Sequence, residues 1–484
     1  MSAGLLQLVL ATAILLLVSV LSSRAAGRVG VPALLLFLII GMLAGSDGPG
    51  GIAFDYPGFA QALGVVALAF ILFGGGLGTH WDEVRPVAMP AIALATVGVA
   101  ITAGLTGWLS SWILGIPLLQ GLLLGAIVSS TDAAAVFAVL RSRSVRLPVR
   151  LRSLLELESG SNDPIAVFLT VGLIAVVQNG QGLPVTLALT FVRQMVLGAI
   201  GGYVFGRLGT GVVNRARLEY DGLYPVLTFA WVLLVYGATQ AVDGSGFLAV
   251  YIAGIVMRRY NFIHKRSLIR FHDALAWLMQ IVMFLTLGLQ VFPTRLPGVA
   301  GAGLAISAIL MFVARPLGVF AVLPFWRFSL REQSFVAWVG LRGAAPIILA
   351  TFPLVAHLPV AERFFSLVFF IVLTSTLVQG TSIPFAARLL HLSQSAPPER
   401  LDPLDLVATG DRELLDVIVS AGSPVAGRRV LELTLPPGVL LVLVERGGDT
   451  FVPSGGTIIQ PDDRLIVLTP TDVSAAVKRQ LEIA

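Results

Sequence analysis

Residues 155–169 read LELESGSNDPIAVFL, and this stretch decides how the rest of the chain is interpreted. It places three carboxylates, one Asn and two Ser at the start of an apolar run that is long enough to cross a bilayer. A carboxylate in hydrocarbon is energetically costly, so an acid that lies there indicates a functional site by default. The stretch therefore predicts an ion-binding segment inside a membrane.

The composition is that of a protein with many membrane spans. Of 484 residues, 56% are hydrophobic and 12% are charged, and the mean hydropathy is +0.90. A soluble domain carries roughly 25% charged residues. The absence of Cys excludes disulfides and thiolate metal sites, and the five His show no metal-ligand spacing. The net charge of +5 follows from the positive-inside rule and requires no nucleic-acid partner.

Thirteen segments meet the length of about 20 mostly apolar residues that a spanning helix needs. They are 4–23, 31–45, 59–79, 86–109, 117–140, 153–177, 184–207, 222–241, 245–258, 273–292, 297–325, 333–353 and 364–390. The second and ninth are short. The sequence thus predicts an all-α membrane domain.

Basic residues concentrate in every second loop between these spans. The loop after the fifth span holds five Arg between 141 and 152, and the loop after the ninth holds four Arg and one Lys between 258 and 270. The alternate loops are acidic or nearly uncharged. This alternation predicts an odd number of spans, an N-terminus outside and a cytoplasmic C-terminus. The expected location is a bacterial-type inner (plasma) membrane.

The pattern changes after the thirteenth span. Residues 391–400 form a polar, Pro-containing linker, and from 401 onward apolar and polar residues alternate at the period of a strand. We predict strands over 414–419, 439–444 and 464–468, turns at 447–449 and 461–463, and a closing helix over 474–481. The expected organisation is a transmembrane domain (1–390), a linker (391–400) and a small cytosolic α+β domain (401–484).

Two of the spans carry helix-breaking residues in their middle. In the fifth span, Ser129-Ser130-Thr131-Asp132 favours an unwound segment with a new half-helix starting at Ala133. In the twelfth, the run from Gly340 to Pro346 contains two Gly and one Pro. Interrupted helices at corresponding places in two halves point to a transporter's binding site. The two spans are seven apart, and this odd offset predicts inverted repeats.

Four charged residues are predicted to lie near the middle of the bilayer. Counting about 1.5 Å per residue from the nearest basic loop residue places Asp132, Asp163, Arg315 and Arg342 roughly 13 to 18 Å deep. Two are acidic and two are basic, so they can compensate one another. For the two Arg, a purely structural role is the alternative. For Asp163 it is least favoured, because no basic residue lies beside it in the sequence.

Three motifs resemble the signature segments of NhaP-type monovalent cation/proton antiporters, and among these the CvrA-like potassium/proton antiporters. They are Ser130-Thr131-Asp132, Glu158-Ser159-Gly160-Ser161-Asn162-Asp163-Pro164 and Gly340-Leu341-Arg342-Gly343-Ala344. The resemblance covers residues 1–390. The tail resembles the C-terminal RCK (TrkA-C) domain. A carboxylate that relatives often carry in the third span is missing here, where the sequence is Phe73-Gly74-Gly75-Gly76.

The resemblance implies roles for particular residues. The cation/proton-binding set would be Asp163, Asn162, Ser159, Thr131, Asp132 and Ser130, with Asp163 as the carboxylate that binds cation and proton alternately. The charge-balancing set would be Glu158, Arg342 and Arg315, with Glu158 and Arg342 holding the broken helices. Asn162 stands where electrogenic relatives carry a second Asp, which implies electroneutral exchange.

The sequence therefore predicts a secondary-active K+/H+ antiporter that works by alternating access. The alternative is a Na+/H+ antiporter with the same machinery. A cation channel gated by the tail is less favoured, because the chain has no pore-loop signature such as Thr-Val-Gly-Tyr-Gly. We expect no enzymatic activity, no metal and no cofactor. The tail is expected to regulate, with homodimerisation of the chain and a small ligand such as a nucleotide on residues 401–484; a folding module is the alternative.

Overall fold

The computed structural model describes residues 3–29, 33–54, 56–143, 145–179, 184–394, 412–420, 422–447, 449–470 and 473–482. The chain divides into two compact units, Met1–Ser395 and Ala396–Ala484. Most of the predicted linker, 395–400, lies outside the described residues. The exact domain boundaries stay a prediction.

The first unit is built of helices. They are α1 (Ala3–Val29), α2 (Ala33–Ala44), α3 (Pro57–Gly78), α4 (Trp81–Leu114), α5 (Leu118–Ile127), α6 (Ala133–Ser142), α7 (Val149–Asn179), α8 (Pro184–Arg215), α9 (Leu223–Ala241), α10 (Gly246–Arg259), α11 (Lys265–Leu289), α12 (Pro293–Trp326), α13 (Leu330–Trp338), α14 (Ala344–Val355) and α15 (Ala361–Leu389). Within the described ranges, eight helices are long and apolar enough to cross a membrane by themselves.

Each of the thirteen predicted spans corresponds to one helix or one broken pair in the described part of the chain. The pairs are α5 with α6 and α13 with α14, and their breaks lie at residues 128–132 and 339–343. The predicted new half-helix does begin at Ala133. The second and ninth spans are short, as predicted, with 12 residues in α2 and 14 in α10. The predicted fold class is confirmed.

A further correspondence links the two halves. Helices α4 and α12, the fourth and eleventh spans, each contain one turn of π-helix, at Leu94–Gly98 and Leu310–Ala314. These spans are seven apart, the same offset as the two broken pairs. A π turn in a long helix commonly marks a functional site, and the turn in α12 ends directly before Arg315.

The helices pack as two bundles. We call α4–α7 with α12–α15 the site bundle, and α2, α3 and α8–α11 the scaffold bundle. Close packing inside the scaffold bundle depends on Gly76, because a Cβ there would lie 2.3 Å from the carbonyl oxygen of Tyr251. The two bundles meet where α14 contacts α3 and where α7 contacts α10. The candidate site lies at this boundary.

In its described residues, the second unit is a four-stranded antiparallel sheet with a closing α-helix. Its elements are β1 (Arg412–Ile418), β2 (Leu440–Arg446), β3 (Asp449–Phe451), β4 (Arg464–Pro470) and α16 (Ser474–Glu482). The strand order is β1-β4-β2-β3. The core packs residues from both kinds of element, including Val417, Leu465 and Val477. The three predicted strands and the closing helix are present, and β3 was missed because it is three residues long and follows a turn.

Candidate ion-binding site

The two breaks cross at the centre of the site bundle. Asp132 caps α6, since its Oδ1 accepts a hydrogen bond from the backbone N–H of Ala135 at 3.0 Å. The backbone N–H of Asp132 donates to the carbonyl oxygen of Leu341 at 2.8 Å, which joins one break to the other. A Cβ at Gly343 would lie 2.0 Å from Oδ2 of Asp132. The crossing therefore requires glycine at 343.

Arg342 binds the end of the opposite half-helix. Its Nη1 donates to the carbonyl oxygens of Ser129 and Ser130 at 2.5 and 2.7 Å, and the residue is 1% exposed. These carbonyls follow α5, whose C-terminus carries the negative end of its dipole. The guanidinium thus places a positive charge where the broken helix leaves partial negative charge.

Two side chains of α7 form hydrogen bonds with the first break, residues 128–132. Ser159 Oγ donates to the carbonyl of Thr131 at 2.9 Å and accepts from the N–H of Ala133 at 3.0 Å. Asn162 Nδ2 donates to Thr131 Oγ1 at 2.6 Å. These contacts hold α7 in a fixed register against the unwound segment. Asn162 is fully buried and does not line the cavity described below, unlike Ser159.

Asp163 lies beside the same break. It accepts a hydrogen bond from the Ser130 hydroxyl, and it is 9% exposed. Among the described residues no Lys, Arg or His forms an ion pair with it. Its carboxylate therefore has a neutral donor but no fixed positive partner within that part of the chain.

Glu158, one and a half turns earlier on α7, has different surroundings. Arg315 Nη1 and Nη2 donate to its two carboxylate oxygens at 2.5 and 3.1 Å, and both side chains are almost completely buried. Glu158 pairs with α12, and Arg342 with the carbonyls of the first break. Both Arg315 and Arg342 are engaged without reaching Asp163.

A cavity of about 690 Å³ lies between the two bundles and is lined by residues of both. On the site-bundle side it is lined by the unwound segment and by the inner face of α7. These residues include Ser130, Thr131, Asp132, Ser159 and Asp163. Five of the six predicted cation/proton-binding residues thus share one cavity, and Asn162 is the exception.

The opposite wall of the cavity comes from α2, α3, α10 and α11 of the scaffold bundle. Helix α3 contributes Gly74, Gly75 and Gly78, which supply no side-chain oxygen. Charged residues line the exposed end of the cavity: Arg141, Arg152, Glu156 and Asp273.

Sequence reasoning missed the contacts of Glu156. Oε1 of Glu156 accepts a hydrogen bond from Thr79 Oγ1 at 2.7 Å, across the boundary between the bundles. Tyr251 packs beside it, and a Cβ at Gly160 would lie 2.2 Å from the Tyr251 ring. The seven-residue spacing of Glu156 and Asp163 is a signal that was available, because it puts both acids on one face of α7.

The chemistry of this wall suits a small hard cation. Carboxylate, hydroxyl and carbonyl oxygens converge on the cavity, and oxygen ligands are what such cations prefer. Asp132 and Asp163 on this wall both lack an ion pair among the described residues, but Asp132 caps α6, and this leaves Asp163 as the acid that a mobile cation can neutralise. A helical membrane domain with two crossed broken helices and one such acid defines the class of secondary transporters for small cations.

The comparisons with known proteins agree with this class. Residues 12–389 match the family described as Sodium/hydrogen exchanger, transmembrane, and residues 414–482 match the TrkA-C domain. The first match covers more than half of the chain. The chain therefore belongs to the sodium/hydrogen exchanger family, which is a family of transporters, and it carries a TrkA-C domain. The resemblance predicted from three motifs is confirmed.

Particular relatives are more specific. The chain is 41% identical over 463 residues to the K(+)/H(+) antiporter NhaP of Alkalimonas amylolytica, covering 95% of this chain and 80% of the relative. It is 42% identical to the K(+)/H(+) antiporter NhaP2 of Shewanella sp. (strain ANA-3), covering 94% and 80%. The fold resembles the sodium proton antiporter MjNhaP1 from Methanocaldococcus jannaschii, with a TM-score of 0.69 and 22% identity over 80% of this chain and 99% of that one.

Proposed function

We propose that this protein exchanges K+ for H+ across the membrane, and that the Asp163 carboxylate binds the two ions in turn. The observation that carries the proposal is the contrast in compensation among the buried charges. Glu158 has Arg315, and Arg342 has two carbonyl oxygens, whereas Asp163 faces the cavity with a single hydroxyl donor. A site that lacks a fixed positive charge is one that a mobile positive ion can complete.

Coupling follows from the cost of burying a charge. An unpaired carboxylate is strongly disfavoured in a low-dielectric interior. Asp163 therefore carries either a proton or a partly dehydrated cation whenever the site changes sides. Because the two ions compete for one carboxylate, each K+ that moves one way is exchanged for one H+ that moves the other way. Such exchange is electroneutral.

The choice of K+ rests on the relatives, two of which are named K(+)/H(+) antiporters at 41% and 42% identity. The oxygens of the cavity also suit Na+, so Na+/H+ exchange is the second candidate. Flux assays with each cation in turn separate the two. A transport rate that saturates at lower K+ than Na+ supports the proposal, and the reverse would favour the second candidate.

Alternating access would come from movement of the unwound segments and α7 against the scaffold bundle. The cavity lies between the bundles and contains the site on one side only, which is the arrangement such a movement requires. With the N-terminus outside and the C-terminus in the cytoplasm, the Arg-rich end of the cavity faces the cytoplasm. We propose that the transporter acts as a homodimer in an inner membrane.

The tail is proposed to regulate exchange by binding a small ligand such as a nucleotide. The match of residues 414–482 to the TrkA-C domain supports this role. A chain truncated after His391 should retain exchange and lose its response to that ligand. If truncation instead abolishes insertion of the protein in the membrane, the tail is a folding module.

The decisive experiment is K+-driven proton movement in proteoliposomes. Asp163→Asn should abolish it while leaving the protein monodisperse in detergent. Glu219→Gln is the matched control, because it removes a carboxylate from an exposed loop and should leave exchange unchanged. Retained K+-coupled proton flux in Asp163→Asn would remove this residue from the mechanism.

A second variant tests the electroneutral stoichiometry. Asn162 adjoins Asp163 and is hydrogen-bonded to Thr131. Asn162→Asp adds a second carboxylate there, and we expect exchange to become sensitive to membrane potential. If the rate of exchange in Asn162→Asp is as independent of membrane potential as in the wild type, Asn162 does not explain the electroneutral stoichiometry.

A further inference from the structure

The scaffold wall of the cavity offers few oxygen atoms. From α3 the lining residues are the apolar Leu68, Ile71 and Leu72 and the three glycines named above. Tyr251 of α10 directs its hydroxyl to the carbonyl oxygen of Glu156 at 3.4 Å. Asp273 lies at the exposed end of the cavity, which Arg141 also lines. A cation at Asp163 therefore receives no side-chain ligand from α3.

Gln280 of α11 is the exception on this wall. It is 8% exposed and lines the cavity, and its side-chain amide forms no hydrogen bond with any residue in the described ranges. A buried amide without a partner costs free energy, so such groups are normally satisfied. An amide that is left free beside a polar cavity is available to a ligand or to water in that cavity.

The helix register places Gln280 at the depth of Asp163. On α7, Asp163 follows Glu156 by seven residues; on α11, Gln280 follows Asp273 by seven. Seven residues are two turns, or about 10.5 Å along one helix face. Glu156 and Asp273 both line the charged end of the cavity. The helices are the sixth and tenth spans, so both run in the same direction from that end.

Burial agrees with this register. Asp163 is 9% exposed and Gln280 is 8% exposed, whereas Asp273 is exposed and Glu156 is half-buried. The two inner residues thus lie at matched depth on opposite walls, one on each bundle. The site bundle supplies the carboxylate of Asp163, and the scaffold bundle supplies the neutral amide oxygen of Gln280.

We propose that the side-chain amide oxygen of Gln280 is a scaffold-side ligand of the monovalent cation bound at Asp163. The inference rests on the proposed function. A neutral ligand leaves the exchange of one K+ for one H+ unchanged, because it adds no charge to the site. It also belongs to the bundle that does not carry the site, so it contributes only while the site faces this cavity. Gln280 therefore sets cation affinity on one side of the membrane.

The test measures K+-dependent exchange from each side in vesicles of both orientations. Gln280→Met keeps the length of the side chain and removes the oxygen. We expect its half-saturating K+ concentration to rise roughly fivefold from the cavity side, the effect of losing one oxygen ligand. The half-saturating K+ concentration from the other side of the membrane should stay within about twofold of the wild-type value, and so should the maximal rate. Met283→Leu, one turn further on α11 in the same cavity, is the control and should change neither.

Gln280→Glu provides a second measurement if Gln280→Met fails to fold. It retains an oxygen and adds charge, so half-saturation from the cavity side should fall. Half-saturation that is unchanged in either variant, or that shifts equally on both sides, overturns the inference, since a structural residue would act on both. If the wild type itself exchanges neither K+ nor Na+, the proposed function fails and this inference fails with it. Wild-type exchange with an unaffected Gln280→Met overturns the inference alone.

Discussion

Helix α7 holds two buried carboxylates in opposite surroundings. Glu158 faces α12 and receives two hydrogen bonds from Arg315, while Asp163 faces the cavity and receives one from a Ser hydroxyl. The same helix thus carries one acid, Glu158, with a fixed positive partner, and another, Asp163, that has none among the described residues. Under the proposed mechanism, burial alone does not make a transport site. We infer that a buried acid becomes one when the fold leaves out its counter-ion.

The largest expected effect comes from removing the uncompensated acid. Asp163→Asn should lower K+-driven proton flux by at least 100-fold, because the amide cannot exchange a proton for a cation. Thermal stability should be unchanged or higher, since no ion pair is lost. Flux in proteoliposomes and the melting temperature in detergent measure both quantities. If Asp163→Asn transports normally, or if it unfolds, the contrast drawn here between Asp163 and Glu158 is wrong.

The compensated acid should behave in the opposite way. Glu158→Gln leaves Arg315 buried without its partner, which typically costs about 3–5 kcal/mol of stability. Replacing both residues, as Glu158→Met with Arg315→Met, should recover much of that loss. Melting temperatures of the single and double variants measure the coupling. We expect the double variant to retain exchange, and its complete inactivity would assign Glu158 a part in transport.

Gly160 lies on α7 between the two acids and tests the boundary of the bundles. In Gly160→Ala the new Cβ would lie 2.2 Å from the Tyr251 ring. Overpacking of this kind costs about 1–3 kcal/mol, and we expect roughly a tenfold slower exchange.

The matched control is Gly237→Ala, because a Cβ at Gly237 meets no atom within 4 Å. Adding Tyr251→Leu to Gly160→Ala should restore part of the rate. Equal rates for Gly160→Ala and the wild type would show that this contact does not limit movement at the boundary.

The smallest effect concerns a third buried acid, in the tail. Asp463 accepts hydrogen bonds from Arg446 at 2.7 Å and from the N–H of Gln460 at 2.8 Å. Burial by itself would raise the pKa of Asp463, but these hydrogen bonds outweigh it and hold the pKa below its usual value. Since the folded form has the lower pKa, the contribution to stability is complete above the unfolded value of about 4 and is lost as pH falls further.

This contribution should be about 1 kcal/mol, because Arg446 is partly exposed. Hydrogen exchange of the β4 amides in the intact protein measures it. Protection should fall in the wild type as the pH drops below 4 and should be lower and independent of pH in Asp463→Asn. Identical profiles would contradict the assignment.

Much of this architecture could be predicted from local sequence. The spans follow from apolar length, and the break at Asp132 follows from a run of Ser, Thr and Asp that competes for backbone hydrogen bonds. The three motifs were sufficient to indicate the family. These signals are local, or they are read directly from spacing along one helix.

The partners across space could not be predicted in the same way. Depth counting put Arg315 and Arg342 in the same plane, but the rotation of each helix decides which guanidinium meets Glu158, and the sequence does not give that rotation. Gln280 was missed because a single amide in an apolar span has no pattern. It becomes informative only when the opposite wall of the cavity is known.

The most direct test of the central claim is proton release on binding. K+ is added to the purified protein in weak buffer, across the pH range in which it transports, and the released protons are counted. We expect release of up to one proton per chain in the wild type and in the Glu158→Met, Arg315→Met double variant, and none in Asp163→Asn. Undiminished release from Asp163→Asn would contradict the claim that this carboxylate binds the two ions in turn.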